Sequence, residues 1–241
     1  MFDTELPLYG LFILLSLLAN IIVVMLLYRN FKFSRDEIIG ALVYENLGII
    51  GGAKILTYLQ DSHQHDEFDF LSLGLSAYGA VIGAIICLIL FGLQFKKNIK
   101  DMLFIFMPSL PLMYAIGKIA CFFAGCCYGI EYAGWGHIVY NYSLAAPKGI
   151  PFFPVQLGET IFFICIFSYM IHQLMKNKFS WRTLNISGIL CGVAKFSLDF
   201  LRIGHVDTLL SLNQILSIIF IIIGALFMVK TKIMSFFTIG K

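Results

Sequence analysis

The chain has 241 residues, of which 59% are hydrophobic and 13% charged, with a formal net charge of +3 at pH 7. That composition excludes a soluble globular domain and specifies an integral membrane protein. The basic residues gather in short loops and the C-terminal tail, so no soluble basic face exists for nucleic acid.

In chain order, seven apolar runs are near or above the length of about 20 residues that spans a bilayer: Leu8 to Tyr28, Ile38 to Leu59, Leu71 to Phe95, Leu103 to Ala124, Val155 to Met175, Leu184 to Ile203 and Leu212 to Val229. The predicted fold class is an all-α membrane protein, a single-domain bundle of seven transmembrane helices. The first run follows Asp3 and Glu5 rather than a basic start, so it reads as a retained span and not a secretory leader. Pro108 and Pro111 predict a break in the fourth helix, whose freed carbonyls must be satisfied inside the bundle. Gly48, Gly51, Gly52, Gly79, Gly83, Gly117 and Gly125 predict close helix approaches.

Loop charge sets the orientation. The clusters Arg29/Lys32/Arg35, Lys96/Lys97/Lys100, Lys176/Lys178/Arg182 and Lys230/Lys232/Lys241 fall on alternate loops and the tail, whereas Asp61/Asp66/Glu67/Asp69 mark the opposite side. Lys and Arg stay cytoplasmic, which places the N-terminus outside and the C-terminus inside. The long outer segment from Tyr128 to Phe153 is rich in aromatic residues, among them Tyr132, Trp135, Tyr140 and Tyr142. It reads as an interfacial belt and a place for a lid or head-group contact.

The most informative residues are charges inside the predicted spans. A Lys, Arg or Asp at a helix centre costs about 3 kcal/mol, so such groups face a protein interior or a watery cavity. Lys195, Asp199 and Arg202 repeat at helical spacing in the sixth run, which predicts one polar face. With Lys54, Lys118, Glu45 and Glu159 they form an intramembrane set of four cations and three acids. A cavity built from that set carries a small positive excess suited to an anionic head group. The six cysteines read as small apolar packing residues, since the Cys121/Cys126/Cys127 spacing is not that of a zinc site; a disulfide or an acyl-accepting thiol at Cys126 and Cys127, near the outer surface, is the alternative.

Six blocks, the last of them in two parts, resemble one family and fall in its order. Gly117-Lys118-Ile119-Ala120-Cys121-Phe122-Phe123-Ala124-Gly125-Cys126-Cys127-Tyr128-Gly129 resembles the signature segment of the prolipoprotein diacylglyceryl transferases, roughly G-R-I-G-N-F-x-N-G-E-x-Y-G. Leu8-Tyr9-Gly10-Leu11 resembles W-Y-G-L, Gly52-Ala53-Lys54 resembles G-A-R, and Tyr78-Gly79-Ala80-Val81-Ile82-Gly83 resembles (H/Y)-G-G-L-I-G. Phe153-Pro154-Val155-Gln156-Leu157-Gly158-Glu159 resembles H-P-(S/T)-Q-L-Y-E. The stretch from Lys195 to Arg202 resembles R-x-x-x-E-F-x-R, and Leu212-Asn213-Gln214-Ile215-Leu216-Ser217 resembles M-G-Q-W-L-S.

The resemblance implies a seven-helix enzyme of the bacterial plasma membrane. It would move a diacylglyceryl group from phosphatidylglycerol to a lipobox cysteine thiol of a precursor protein and release glycerol phosphate. No cofactor is implied. Carried over by position, Tyr78, Lys118, Lys195, Asp199 and Arg202 become the catalytic candidates, and Tyr9, Lys54, Gln156, Glu159 and Gln214 the substrate-binding ones. Departures from the pattern are chemical. Lys54, Lys118 and Lys195 stand where arginines are expected, replacing a planar fork by a point charge. Cys121, Ala124 and Cys126 replace two asparagines and an acid, while Phe153 and Tyr78 stand at histidine positions. A noncatalytic lipid-binding or assembly protein on the same fold is the alternative reading.

Overall fold

A computed structural model describes residues 5–61, 74–141, 143, 145–203 and 209–239, without the side chains of 5–7, 61 and 230–239. Asp3, Asp66, Glu67, Asp69, Tyr142 and Lys241 lie outside the described residues, as do the side chains of Glu5, Asp61, Lys230 and Lys232. The helices are α1 (Glu5–Leu27), α2 (Arg35–Asp61), α3 (Ala77–Gln94), α4 (Ile99–Phe106), α5 (Ser109–Ala124), α6 (Val155–Met175), α7 (Trp181–Asp199) and α8 (Leu212–Ile239). A short hairpin of β1 (Ile138–Val139) and β2 (Pro151–Phe152) lies between α5 and α6. Among the described residues, six helical stretches are long and apolar enough to cross a membrane, and α4 with α5 supplies one of them, Ile99–Ala124. The predicted sixth span, now α7, is not among the six.

The chain forms two compact units, Leu17–Leu110 and Met1–Ser16 with Pro111–Lys241. In the first, α2 and α3 meet backbone to backbone. A Cβ on Gly48 or Gly52 would overlap the carbonyls of Gly83 or Gly79, so only glycine allows this approach. Among the described residues the predicted approaches at Gly51 and Gly117 are not found, for a Cβ there would meet no atom within 4 Å. Ser34 and Glu37 close a reciprocal capping box at the start of α2, and Lys97 forms an ion pair with Glu37. The helix breaks between Phe106 and Ser109, where Pro108 cannot donate, and Ser109 Oγ donates to the Phe106 carbonyl at 2.7 Å. Pro111 sits in the first turn of α5, where no intrahelical donor is needed.

In the second unit, α6 buries Val155, Gln156, Glu159, Thr160, Phe163, Ile166, Met170 and Leu174, one face at three- and four-residue steps. Its polar members all lie in the first two turns, so that end of the face must find polar partners. On α7 the buried face carries Thr183, Ser187, Lys195 and Asp199, a polar stripe rather than an apolar one. That stripe, together with Arg182 and Asn185 near the start of the helix, lowers the hydropathy of α7. Gly192 and Gly224 let α7 and α8 approach, each meeting isoleucine side chains of the other helix.

Candidate functional site

Glu159, 1% exposed, is the hub of the second unit. Its carboxylate meets Lys118 Nζ at 2.9 Å, Lys195 Nζ at 3.3 Å and Arg202 Nη2 at 2.9 Å, while Tyr114 Oη donates to it at 2.7 Å. Lys195 Nζ also donates to Tyr114 Oη at 2.8 Å. Both lysine ammonium groups lie against the Tyr114 ring, 5.2 Å and 5.0 Å from its centroid, where the π face adds attraction. Four separate stretches of chain therefore converge: α5 brings Tyr114 and Lys118 one turn apart, α6 brings Glu159, α7 brings Lys195, and the chain after α7 brings Arg202. The three cations share a carboxylate; none sits in a private pair.

Arg202 is not on the helical face that its spacing predicts. α7 ends at Asp199, and tight turns follow, with Leu201 N–H donating to Leu198 O at 3.1 Å and Arg202 N–H to Asp199 O at 3.0 Å. The chain then makes one isolated backbone bridge. Arg202 is bridged to Gly129, and Ile130 N–H donates to Leu201 O at 2.9 Å. Backbone pairing wins over helical continuation here because the segment after α5 offers unsatisfied donors and acceptors beside it. A Cβ on Gly129 would overlap the Phe153 carbonyl and reach 2.9 Å from that of Leu201, so glycine is required where these segments meet. The guanidinium is thus aimed by backbone pairing of two loops, not by a helix.

Asp199 accepts a hydrogen bond from Ser211 Oγ and lies 3.9 Å from Arg202 Nη1. Ser211 in turn starts α8. Its hydroxyl accepts from Gln214 N–H at 3.1 Å, and Gln214 Oε1 accepts from Ser211 N–H at 3.1 Å, a capping box of the S-x-x-Q kind. Asp199, Arg202, Ser211, Asn213, Ile203, Cys127 and Tyr128 line a cavity of about 230 Å³. Arg202 is the link between hub and cavity, since it touches Glu159 and lines the hollow, and its Nε has no hydrogen-bond partner among the described residues. Three cations against two carboxylates leave one positive charge at this place.

The other predicted residues divide. Gln156 is fully buried and donates to the Cys126 carbonyl at 2.9 Å and to Tyr140 Oη at 3.2 Å, fastening α6 to the segment after α5. Gln214 is spent on the cap, with its Nε2 unpartnered among the described residues. Tyr9 on α1 lies within electrostatic range of Cys121, Cys126 and Cys127. Lys54 on α2 and Tyr78, 7% exposed in the first turn of α3, belong to the first unit. Glu45, counted with the intramembrane charges, is in that unit too and takes a hydrogen bond from Asn20 at 2.8 Å. Tyr114, Ser211 and Cys127 were not expected. Tyr114 had a signal, since it lies four residues before Lys118 on the same helical face; Ser211 and Cys127 are placed by turns that spacing does not reveal.

The profile of the prolipoprotein diacylglyceryl transferase family matches residues 1–230. Among curated relatives, a phosphatidylglycerol–prolipoprotein diacylglyceryl transferase 2 of Clostridium perfringens is 30% identical, covering 90% of this chain and 88% of the relative. The transferase of Clostridium tetani is also 30% identical, over 90% of this chain and 89% of its own. That of Campylobacter hominis is 31% identical, over 90% and 83%.

Proposed function

Because the chain belongs to the prolipoprotein diacylglyceryl transferase family, we propose that it moves a diacylglyceryl group from phosphatidylglycerol to a cysteine thiol of a prolipoprotein. In that reaction the acceptor sulfur forms a bond to the glyceryl carbon and the carbon–oxygen bond to phosphate breaks. The oxygen departs with its electron pair as glycerol phosphate, and the thiol proton passes to a base. The departing oxyanion needs fixed positive charge held where water cannot screen it.

The observation that carries the reading is the shared carboxylate: Glu159 gathers Lys118, Lys195 and Arg202, and Arg202 alone of the three also lines the cavity. In this arrangement Arg202 meets the phosphate, through donors that Glu159 does not use. Lys118 and Lys195 act from behind it, keeping Glu159 neutralised so that the guanidinium's charge remains available to the ligand. Gln156 would act from behind by holding the segment after α5, Tyr9 is a substrate contact that the resemblance supports, and Gln214 would hold the floor of the site through the α8 cap. The resemblance alone supports Tyr78 as the proton acceptor and Lys54 as a head-group contact. An excess cation at a cavity would serve lipid binding as well as transfer; the transferase names of the relatives favour catalysis over the noncatalytic reading.

The same reading takes the chain as one seven-span domain of a bacterial plasma membrane. α7 is included as a span because its polar residues face inward, and the alternating basic loops support an external N-terminus. A lipobox cysteine is the acceptor that the family resemblance supports. The test is to incubate the purified protein with phosphatidylglycerol vesicles and a lipobox peptide. Lipid attached to the peptide thiol, with one glycerol phosphate released per transfer, is expected. Phosphatidylglycerol left intact while the peptide binds would overturn the transferase reading.

A further inference from the structure

The helix α5 ends in a way that collects sulfur. Its cap is a Schellman motif: Gly125 takes φ +66°, its N–H donates to Phe122 O at 3.3 Å, and Cys126 N–H reaches back to Cys121 O at 3.1 Å. That motif lays the second residue past the helix end against the last turn, a contact usually filled by two apolar side chains. Here the two are Cys126 and Cys121. Cys127 follows in the same left-handed region, at φ 53°, a conformation uncommon for a residue with a Cβ. The turn folds its thiol back to the other two, and the three sulfurs lie within 4.8 Å of one another.

All three are free thiols, half-buried at Cys121 and Cys126 and exposed at Cys127. Sequence spacing gave no reason to join them, because no regular helix or hairpin brings such positions together. The structure does so with a turn that Gln156 holds through the Cys126 carbonyl and Ser143 through that of Gly125. We propose that Cys121, Cys126 and Cys127 form a three-thiolate site for a thiophilic d10 cation, Zn(II) or Cu(I).

Geometry and charge both suit such an ion. A zinc–thiolate bond of about 2.3 Å sets tetrahedral sulfurs about 3.8 Å apart, a spacing these thiols reach by small side-chain rotations. Three thiolates fill the trigonal set that a soft monovalent ion prefers, and Zn(II) would take a water or another donor as its fourth ligand. The thiolates outnumber the charge of either ion, so the filled site is anionic. Lys118 lies within electrostatic range of all three sulfurs and Arg202 of Cys127, and these cations offset the excess. Hard cations find no oxygen ligand set here and are excluded.

Cys127 also lines the cavity beside Arg202, so the site adjoins that of the transfer reaction, but metal binding is read directly and can be tested without transfer. The full chain, purified in detergent and reduced under anaerobic conditions, is titrated in separate arms with Zn(II), Cu(I) and Mg(II), and bound metal is counted after gel filtration. One equivalent of Zn(II) or Cu(I), and none of Mg(II), is expected. Each of Cys121→Ser, Cys126→Ser and Cys127→Ser should weaken binding at least tenfold, while Cys87→Ser and Cys165→Ser change nothing. A sulfur-to-metal charge-transfer band should appear and vanish with the same three variants. Undiminished binding in the triple variant, no metal retained by the reduced protein, or a disulfide among the three thiols that resists reduction would each overturn the proposal. Matching unfolding temperatures for variants and parent exclude loss of fold as the cause.

Discussion

Two glutamates are buried in helices among the described residues, and they keep opposite company. Glu45, in the first unit, is fully buried and takes one hydrogen bond, from the Asn20 amide; its Oε1 has no partner among the described residues. Glu159, in the second unit, is 1% exposed and meets two ammonium groups, a guanidinium and a phenol. By residue type and burial the two acids are alike. What separates them is the charge gathered around each: a lone amide ties helices together, while three cations on one acid make a field that reaches beyond it. Burial of an acid in a membrane helix therefore marks chemistry only when its counter-charges also line a cavity, as Arg202 does.

Replacing each acid by its amide should magnify that difference. Glu159→Gln leaves Lys118, Lys195 and Arg202 buried with no carboxylate between them. Taking one partner from a buried ion pair costs about 3–5 kcal/mol, so a large drop in detergent unfolding temperature is expected, together with loss of transfer. Should Glu159→Gln lose no more stability than Glu45→Gln, the hub would not be what holds the second unit.

Arg202 comes next, because it joins the hub to the hollow. Losing a donor to a developing oxyanion costs roughly 10²–10³ in rate, and Arg202→Ala should fall in that range. Arg202→Lys keeps the charge but not the fork, and should recover only part of the loss. Lys118→Met or Lys195→Met should also abolish or sharply reduce transfer, with Lys→Arg at either position restoring or raising it. An enzyme that stays active with both lysines replaced by Met would break the electrostatic account. Gly129→Ala should mimic a milder Arg202 defect. The added methyl collides with the Phe153 carbonyl, and overpacking of that kind costs about 1–3 kcal/mol, released here by shifting the backbone bridge that aims the guanidinium. An Arg202-like fall in rate with little change in fold is the result to look for.

Much of this was legible in the residues. Apolar runs located the helices, the charges within them located the interesting faces, and ordered motifs named the family. Pro108 announced its break, and the Gly48/Gly52 and Gly79/Gly83 pairs announced the α2–α3 approach. Illegible were the features that turns decide. Lys195, Asp199 and Arg202 have helical spacing, yet the last of them leaves the helix, where its backbone is bridged to Gly129 and Leu201 accepts from Ile130. Glu159 looked like one acid among three, since nothing in sequence says that cations from three other stretches choose it. The thiols of Cys121, Cys126 and Cys127 looked like packing residues, since only the geometry of a helix cap makes neighbours of them.

The smallest predicted effect tests the other side of the comparison. In Glu45→Gln the side-chain oxygen can still accept from Asn20 Nδ2, so the observed hydrogen bond survives. The new amide nitrogen also faces an opportunity, because Asn20 Oδ1 is buried and has no partner among the described residues. A second hydrogen bond there would offset the lost carboxylate oxygen, which had no partner to lose. A net hydrogen bond is worth about 1 kcal/mol, so stability should change by no more than that and transfer activity not at all. Glu45→Ala leaves the Asn20 amide buried and unpaired, at a cost of about 1–3 kcal/mol. If the amide variant were as damaging as the alanine, Glu45 would need its charge, and the distinction between a tie and a site would fail at its weaker end.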